Sequence, residues 1–383
     1  MKNSKKLLSV IIIAMLIIGL VGCSSQPAKP AEKPTIKIGM VMPLTGTAAL
    51  YGEQAKRGAA LAVKQINAKG GILGGSQIEV IYEDDQGKPE LAVNATKKLL
   101  EKDQVVAISG QPLSSPALAM LPIVNAAGKV FMVTAASHPN VVASGAKTVF
   151  QLNTTNVVDH EFYDKYIAET LKLKNVAMIV EKTDFGEIEI TEMKKNWATA
   201  GPKILTIERF ETSQVDFAPQ LTSIRSKNPE AVYVACAAPQ TTAAIFSQMD
   251  QMGLKNVIKL LSPRNLNRDF IKLAGAAAEG IISINFYDAS IENATNKQFV
   301  ADFQAEYKKV PENVENLGYE SIVLLATAID KAGTATDSAK IAEYLHANSF
   351  DTPRGTLKFK DTGAAISQHM PLQAVGGNIV VKK

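Results

Sequence analysis

The stretch IKIGMVMPLTGTAALYGEQAKRGAALAVKQINAKGG, residues 36–71, carries the pattern on which the rest of the chain is built. Its first seven residues are apolar or small apart from Lys37, and Ile36, Ile38 and Val41 are β-branched, as a buried strand requires. Pro43-Leu44-Thr45-Gly46-Thr47 breaks that strand. A helix follows, placing Ala55, Ala59, Ala62, Val63 and Ile66 on one face and stopping at Gly70-Gly71. A strand followed by an amphipathic helix is half of a βαβ unit. Repeated, such units form parallel sheets covered by helices on both faces.

The unit does repeat. Strands are predicted at 78–82, 105–109 and 130–134, with helices at 89–101 and 116–127, Pro89 standing near a helix start. The same grammar restarts near residue 156. Helices at 157–172, 186–199, 216–227, 240–252 and 268–274 alternate with strands at 176–180, 204–210, 231–236, 259–261 and 281–286. Helices at 295–308, 314–332 and 337–348 follow, then strand pieces at 355–359 and 379–381 around a Gly-rich turn. About 350 residues exceed one comfortable core. The fold class is therefore α/β, with two doubly wound parallel-sheet lobes. Ligands of open α/β sheets sit beyond the carboxyl ends of the strands, where helix N-termini point, so the loops directly after strands hold the information.

The N-terminal residues set the compartment. Lys2, Lys5 and Lys6 precede an apolar run at 7–20, too short for a comfortable membrane span and suited to a signal peptide over 1–22. The run ends in Leu20-Val21-Gly22-Cys23, which resembles the lipobox of bacterial lipoproteins, where Cys23 becomes a lipidated N-terminus. The alternative is an ordinary signal peptide with a chance cysteine. Residues 24–34, SSQPAKPAEKP, have no large apolar side chain and read with Cys23 as a lipidated tether over 23–34, holding the protein to a membrane without spanning it. Of the formal charge of +4, Lys2, Lys5 and Lys6 supply most; without them 38 basic residues face 37 acidic ones. Such a nearly neutral body excludes nucleic acid as a partner. Cys236 is the one other cysteine, so no intrachain disulfide forms in the mature body, and its apolar surroundings predict a buried, inert thiol.

The same loops carry no catalytic motif. No phosphate-binding glycine loop follows a strand, so no nucleotide cofactor is expected. Ser144-Gly145-Ala146-Lys147 fits Ser-x-x-Lys in letters but lies in a loop before a strand and lacks a Lys-Thr-Gly partner. His138, His160, His346 and His369 are too far apart in sequence to suggest a zinc site, and Glu83-Asp84-Asp85 lacks calcium-loop spacing, so no metal is expected. The chain reads as a binding protein, not an enzyme.

The opening stretch continues with INAKGGI, then YEDDQGKPELAV, ISGQPLSSPALAMLPIVNAAGKVFMVTAASHP, IVEKTDFGE, VDFAPQLTSIRSKNPEAVYV and LAGAAAEGI. In order and spacing these resemble the leucine/isoleucine/valine-binding proteins, the type I periplasmic binding proteins of branched-chain amino-acid ABC transporters. The resemblance runs from about Ile36 to the C-terminus. It implies two lobes joined by a three-strand hinge, with crossings near 153–156, 282–285 and 350–355. The first lobe would combine 35–153 with 285–350, and the second 156–282 with 355–383. It further implies a small carboxylate ligand, an ABC permease and its ATPase as partners, with the chain monomeric and lipid-anchored to the cell membrane or periplasmic.

The resemblance also selects site residues. Ser114 and Ser115, ahead of Pro116, open a helix; as N-cap residues they have a local reason, and as a ligand site their amides and hydroxyl grip a carboxylate. Ala135, Ala136 and Ser137 match a loop that offers the ligand a carbonyl and a hydroxyl, or form a plain turn before Pro139. Tyr51 either stands beside the ligand side chain or packs at its helix start. In the second lobe the sequence departs from the family. Phe185 replaces a tyrosine before Gly186, Ala237 and Ala238 stand where an aromatic is often found, and Arg264 falls about where a carboxylate pairs with the ligand's α-ammonium. If Arg264 faces the cleft, the expected ligand lacks an α-ammonium or carries an extra acid, which makes an aromatic or aliphatic acid a rival to leucine. Otherwise Arg264 points to solvent, and Asp184, Tyr287 or Tyr233 is the alternative source of the missing contacts. Three functions stand as alternatives: a transport binding protein, a ligand sensor and an extracellular hydrolase built on Ser144. The first accounts for most of these features; the second would carry a signalling domain and the third a nucleophile–base pair in the cleft.

Overall fold

The computed structural model describes residues 33–143 and 145–382, so the expected signal peptide, Cys23 and most of the expected tether, and Ser144, lie outside the described residues. From Thr35 onward the chain forms one contact unit. It opens with strand β1 (Ile36–Met42), helix α1 (Ala49–Ala68), β2 (Ile78–Asp84), α2 (Pro89–Glu101), β3 (Ala107–Gly110), α3 (Ser114–Ala127), β4 (Val130–Val133), the short α4 (Asn140–Ala143) and β5 (Val149–Gln151). These five strands make an all-parallel sheet in the order β2-β1-β3-β4-β5. Because side chains alternate along a strand, β1 sends Ile38, Met40 and Met42 to one face and Val41 to the other. Both faces are buried, which is why the strands read as nearly continuous apolar runs.

The second sheet follows. Helix α5 (Asn156–Lys165) runs into a single widened turn at Tyr166–Thr170; then come β6 (Asn175–Glu181), α6 (Asp184–Asn196), β7 (Lys203–Phe210), α7 (Ala218–Ser226), β8 (Ala231–Ala235), α8 (Pro239–Gln251), β9 (Ile258–Leu261), α9 (Arg268–Ala274) and β10 (Ile282–Asn285). β6 likewise divides its side chains, Ala177 and Ile179 against Val176, Met178 and Val180, between two cores. The chain then returns to the first lobe with α10 (Ala294–Tyr307), α11 (Asn313–Ala332) and α12 (Ser338–Ala347). Helix α11 crosses α1 so closely that a Cβ on Gly318 would stand 2.2 Å from the Ala55 carbonyl oxygen, and one on Gly58 1.9 Å from that of Glu315. Only glycine permits that approach.

The end of the chain departs from the sequence expectation in two ways. The hairpin β11 (Ser349–Thr352) and β12 (Gly355–Lys358) belongs to the first lobe, because Phe350, Leu357 and Phe359 bury themselves in the core around β1 and α11. Gln151 N–H bonds to the Gly363 carbonyl and Ala365 N–H to that of Gln151, both at 2.9 Å. The third crossing therefore falls between residues 365 and 370, not at 350–355. Strands β13 (Met370–Val375) and β14 (Asn378–Val381) then add to β10 in antiparallel fashion, giving the order β14-β13-β10-β9-β8-β6-β7. Their two-residue turn is Gly376-Gly377, both at positive φ (57° and 76°), as a tight hairpin turn demands.

The crossings are tied by two buried arginines. Arg354 Nη1 donates to the Leu152 carbonyl at 2.7 Å and Ser367 Oγ at 3.0 Å, its Nη2 lies 2.8 Å from Glu320 Oε2, and its guanidinium stacks 4.9 Å from the Phe286 ring centre. Arg264 N–H donates to the Ile284 carbonyl at 2.6 Å, and its side chain forms an ion pair with Asp159. His369 Nε2 meets the other oxygen of Asp159 at 2.7 Å. All three crossings thus share buried polar partners.

Candidate functional site

The loops at the carboxyl ends of β1, β3, β4, β6, β8 and β9 face one another across a cleft. Its outer part has a cavity volume of about 1030 Å³ and is walled by Ser114 and Ser115 on one side and Glu181, Phe185, Ala237 and Ala238 on the other. A small inner recess of about 30 Å³ is lined by Tyr51, Ser114, Ser137, Phe185, Ala237 and Arg264, among others.

Ser114 reaches the cleft through an uncommon turn. Gly110 has φ of +102°, and a Cβ there would stand 2.5 Å from the Val41 carbonyl oxygen; Gln111 follows at +62°. The helix α3 begins at Ser114, but its N-cap is Leu113 and no side chain caps it. The N-cap role expected of the serines is therefore absent. The first amides of α3 keep their hydrogen-bonding capacity and its partial positive charge points into the cleft, where an anion gains about 0.3–2 kcal/mol. Ser115 Oγ instead accepts the backbone N–H of Asp184 at 3.3 Å, a contact between the lobes.

After β4 the three residues divide. Ala135 and Ser137 line the inner recess, whereas Ala136 turns into the first-lobe core. Alternation along an extended segment imposes that split. The Ala135 carbonyl accepts from the Asn153 side-chain amide, a residue of the first crossing that the sequence did not single out. Tyr51 lines the recess and donates its hydroxyl to Asn265 Oδ1 at 2.9 Å across the cleft; burial pushes its phenol up.

In the second lobe Phe185 is buried in the first turn of α6, capped by Thr183, whose Oγ1 accepts the Gly186 N–H at 3.2 Å. Gly186 is needed because a Cβ would lie 1.9 Å from the Glu181 carbonyl oxygen. Ala237 lines both cavities and Ala238 the outer one, so the cleft is widened where the family often carries an aromatic. Arg264 does line the recess, yet it is 6% exposed, sits at φ of +70° and is neutralised by Asp159, with Thr154 Oγ1 3.3 Å from Nη1. It does not point to solvent, and it does not confront the cleft as an unanswered cation. Of the suggested substitutes, Asp184 lines the outer cleft. Tyr287 bonds Asn296 and packs in the first-lobe core, and Tyr233 bonds Glu189 on the far face of its sheet, so neither reaches the cleft. Glu181 is the functional candidate missed in the sequence; a carboxylate closing the apolar run of β6 directly before a cleft loop was the available signal.

This is the architecture of a bilobal solute trap. The periplasmic binding protein family model matches residues 35–378, and the chain belongs to that family, as a type I member of its branched-chain amino-acid group. It is 30% identical over 365 residues to the leucine-, isoleucine-, valine-, threonine- and alanine-binding protein of Pseudomonas aeruginosa, covering 95% of this chain and 94% of that one. A leucine-binding protein structure from Thermotoga maritima superposes with a TM-score of 0.82 at 24% identity, covering 91% and 98% of the two chains. A solute-binding protein of an R. palustris ABC transporter, solved with benzoate, gives 0.81 at 26% identity, covering 91% and 95%. The family comprises solute-binding proteins of transporters, and the chain is not an enzyme. Among the described residues no helix is long and apolar enough to cross a membrane, and no group of three or more potential ligands is gathered for a metal.

Proposed function

We propose that this protein is the extracytoplasmic solute-binding lipoprotein of an ABC importer. It binds a small carboxylate-bearing solute between its lobes and delivers it to the permease and its ATPase. The observation that carries the reading is Ser114: an uncapped helix start with a buried hydroxyl, lining both cavities opposite Phe185 and Ala237. Ser137 and the Ala135 carbonyl complete the first-lobe contacts. The Pseudomonas aeruginosa relative, named for five amino acids, supports an α-amino acid. An aromatic or aliphatic acid without an α-amino group is the second reading; the room left by Ala237 and Ala238 and the benzoate held by the R. palustris protein favour it.

A thermal-shift screen of amino acids, aromatic acids and short fatty acids tests the class, since a ligand of the native state alone raises its stability with concentration. Carboxylates stabilise the protein, and Ser114→Ala weakens each by about 10- to 150-fold, the value of one hydrogen bond to a charged group. Stabilisation by uncharged amides or sugars alone sinks the proposal. Lipid attachment at Cys23 is tested by Cys23→Ala, which releases the protein from the membrane fraction.

A further inference from the structure

One buried carboxylate in the cleft has no place in the contacts assigned so far. Glu181 ends β6, is 2% exposed and lines the second-lobe wall. Its Oε2 accepts the Ala237 N–H at 3.2 Å, and Thr212 and Cys236 lie beside it. The cations on the same wall are already engaged: Lys182 Nζ is 2.5 Å from Glu211 Oε1 and Arg209 Nε 2.7 Å from Glu187 Oε1. Glu181 is in no ion pair with the second-lobe cations beside it, and burial raises its proton affinity. Taking a carboxylate out of water without a counter-charge is costly, and groups kept in that condition concentrate at functional sites.

Arg264 sharpens the point. Its charge is answered by Asp159, so the recess wall is electrically balanced, and among the described residues of the second-lobe wall the carboxylates left without an ion pair are Glu181 and Asp184. Tyr51 and Arg264 line the inner recess, and Glu181 lines the wall of the adjoining outer cleft. A ligand with only a carboxylate brings a second negative charge into this space and needs a proton to accompany it. A zwitterion brings its own counter-charge.

We propose that Glu181 is the second-lobe group that receives the ammonium of the bound solute, so that the ligand is a zwitterionic α-amino acid and not a simple organic acid. The assignment rests on the carboxylate-binding reading above. It moves the negative partner from the position of Arg264, at the end of β9, to the end of β6, two strands away in the sheet.

Isothermal titration of the purified protein separates the cases, using leucine, valine and phenylalanine against their deaminated counterparts isocaproate, isovalerate and hydrocinnamate. At least one amino acid binds about 100-fold tighter than its counterpart. Glu181→Gln, which keeps an acceptor for Ala237, weakens that amino acid at least ~30-fold, as loss of a desolvated charge partner does, and leaves the counterpart within about threefold. Glu181→Asp, which keeps the charge and withdraws it, weakens the amino acid less than Gln does. Two results overturn the assignment: counterparts that bind wild type as tightly as the amino acids, or variants that weaken both classes equally, as a purely structural role through Ala237 would. Failure of every carboxylate to bind wild type overturns the assignment together with the function beneath it.

Discussion

His160 offers a quantitative test of the buried chemistry behind the second sheet. Its imidazole is fully buried, with Nδ1 2.9 Å from Asp164 Oδ1 and Nε2 3.3 Å from Glu189 Oε2. The two carboxylates have further donors: Asn196 donates to Asp164 at 2.8 Å, while Tyr233 and Asn156 donate to Glu189. Burial alone would pull the imidazole pKa down, but the Glu189 and Asp164 carboxylates outweigh it and push it up to about 10. The unfolded value is about 6.5. A raised folded pKa contributes stability that is fully present below about pH 6.5 and is lost as pH rises toward 10. Between pH 6.5 and 9.5 the linkage amounts to about 3.5 kcal/mol, at 1.36 kcal/mol per pKa unit. The chain's single tryptophan, Trp197, donates its indole N–H to the Asp164 carbonyl at 3.3 Å and so reports on this site. Urea unfolding followed by Trp197 fluorescence, for wild type and His160→Gln across that range, isolates the effect. Wild type exceeds the variant by several kcal/mol at pH 6.5, and the gap narrows by about 3.5 kcal/mol at pH 9.5. A gap that stays constant within about 1 kcal/mol shows a neutral folded histidine and refutes the reasoning.

Further perturbations test the hinge. Arg354→Met leaves Glu320 buried without its cation and cuts the ties among the three crossings; unfolding free energy falls by about 3–5 kcal/mol, read by denaturant titration. His369 behaves oppositely to His160: burial, then neighbouring Arg264, hold it down at about 4, so the fold loses stability as pH drops from about 6.5 toward 4. His369→Asn flattens that acid limb in the same assay, whereas an unchanged limb rules out His369 as its source.

Much of the fold was legible because each strand is apolar on both faces and each helix carries its own stripe. Helix 89–101 matches α2 end to end, and β1 matches the strand expected in the opening stretch. What escaped were relations between distant residues. The carboxylate that answers Arg264 is Asp159, in a different element, and nothing local to either residue announces the pair. The third crossing was displaced because Phe350, Leu357 and Phe359 are apolar wherever they pack, and only tertiary contact assigns them to the first lobe. Strand β13 is not legible in the sequence: MPLQAV contains Pro371 and Gln373, which break an apolar strand pattern, and only its pairing with β10 on one side and β14 on the other makes it a strand. In the site, loops after strands were found from the alternation, but Ala136 facing inward and Ser114 lying inside the helix rather than capping it depended on single dihedrals.

The most direct measurement is a crystal structure of the protein with the tightest carboxylate from the binding panel. The account places the solute between the lobes, its carboxylate oxygens about 2.7–3.2 Å from Ser114 Oγ and the first amides of α3. A carboxylate directed at Arg264 instead, or a solute bound outside the cleft, contradicts it.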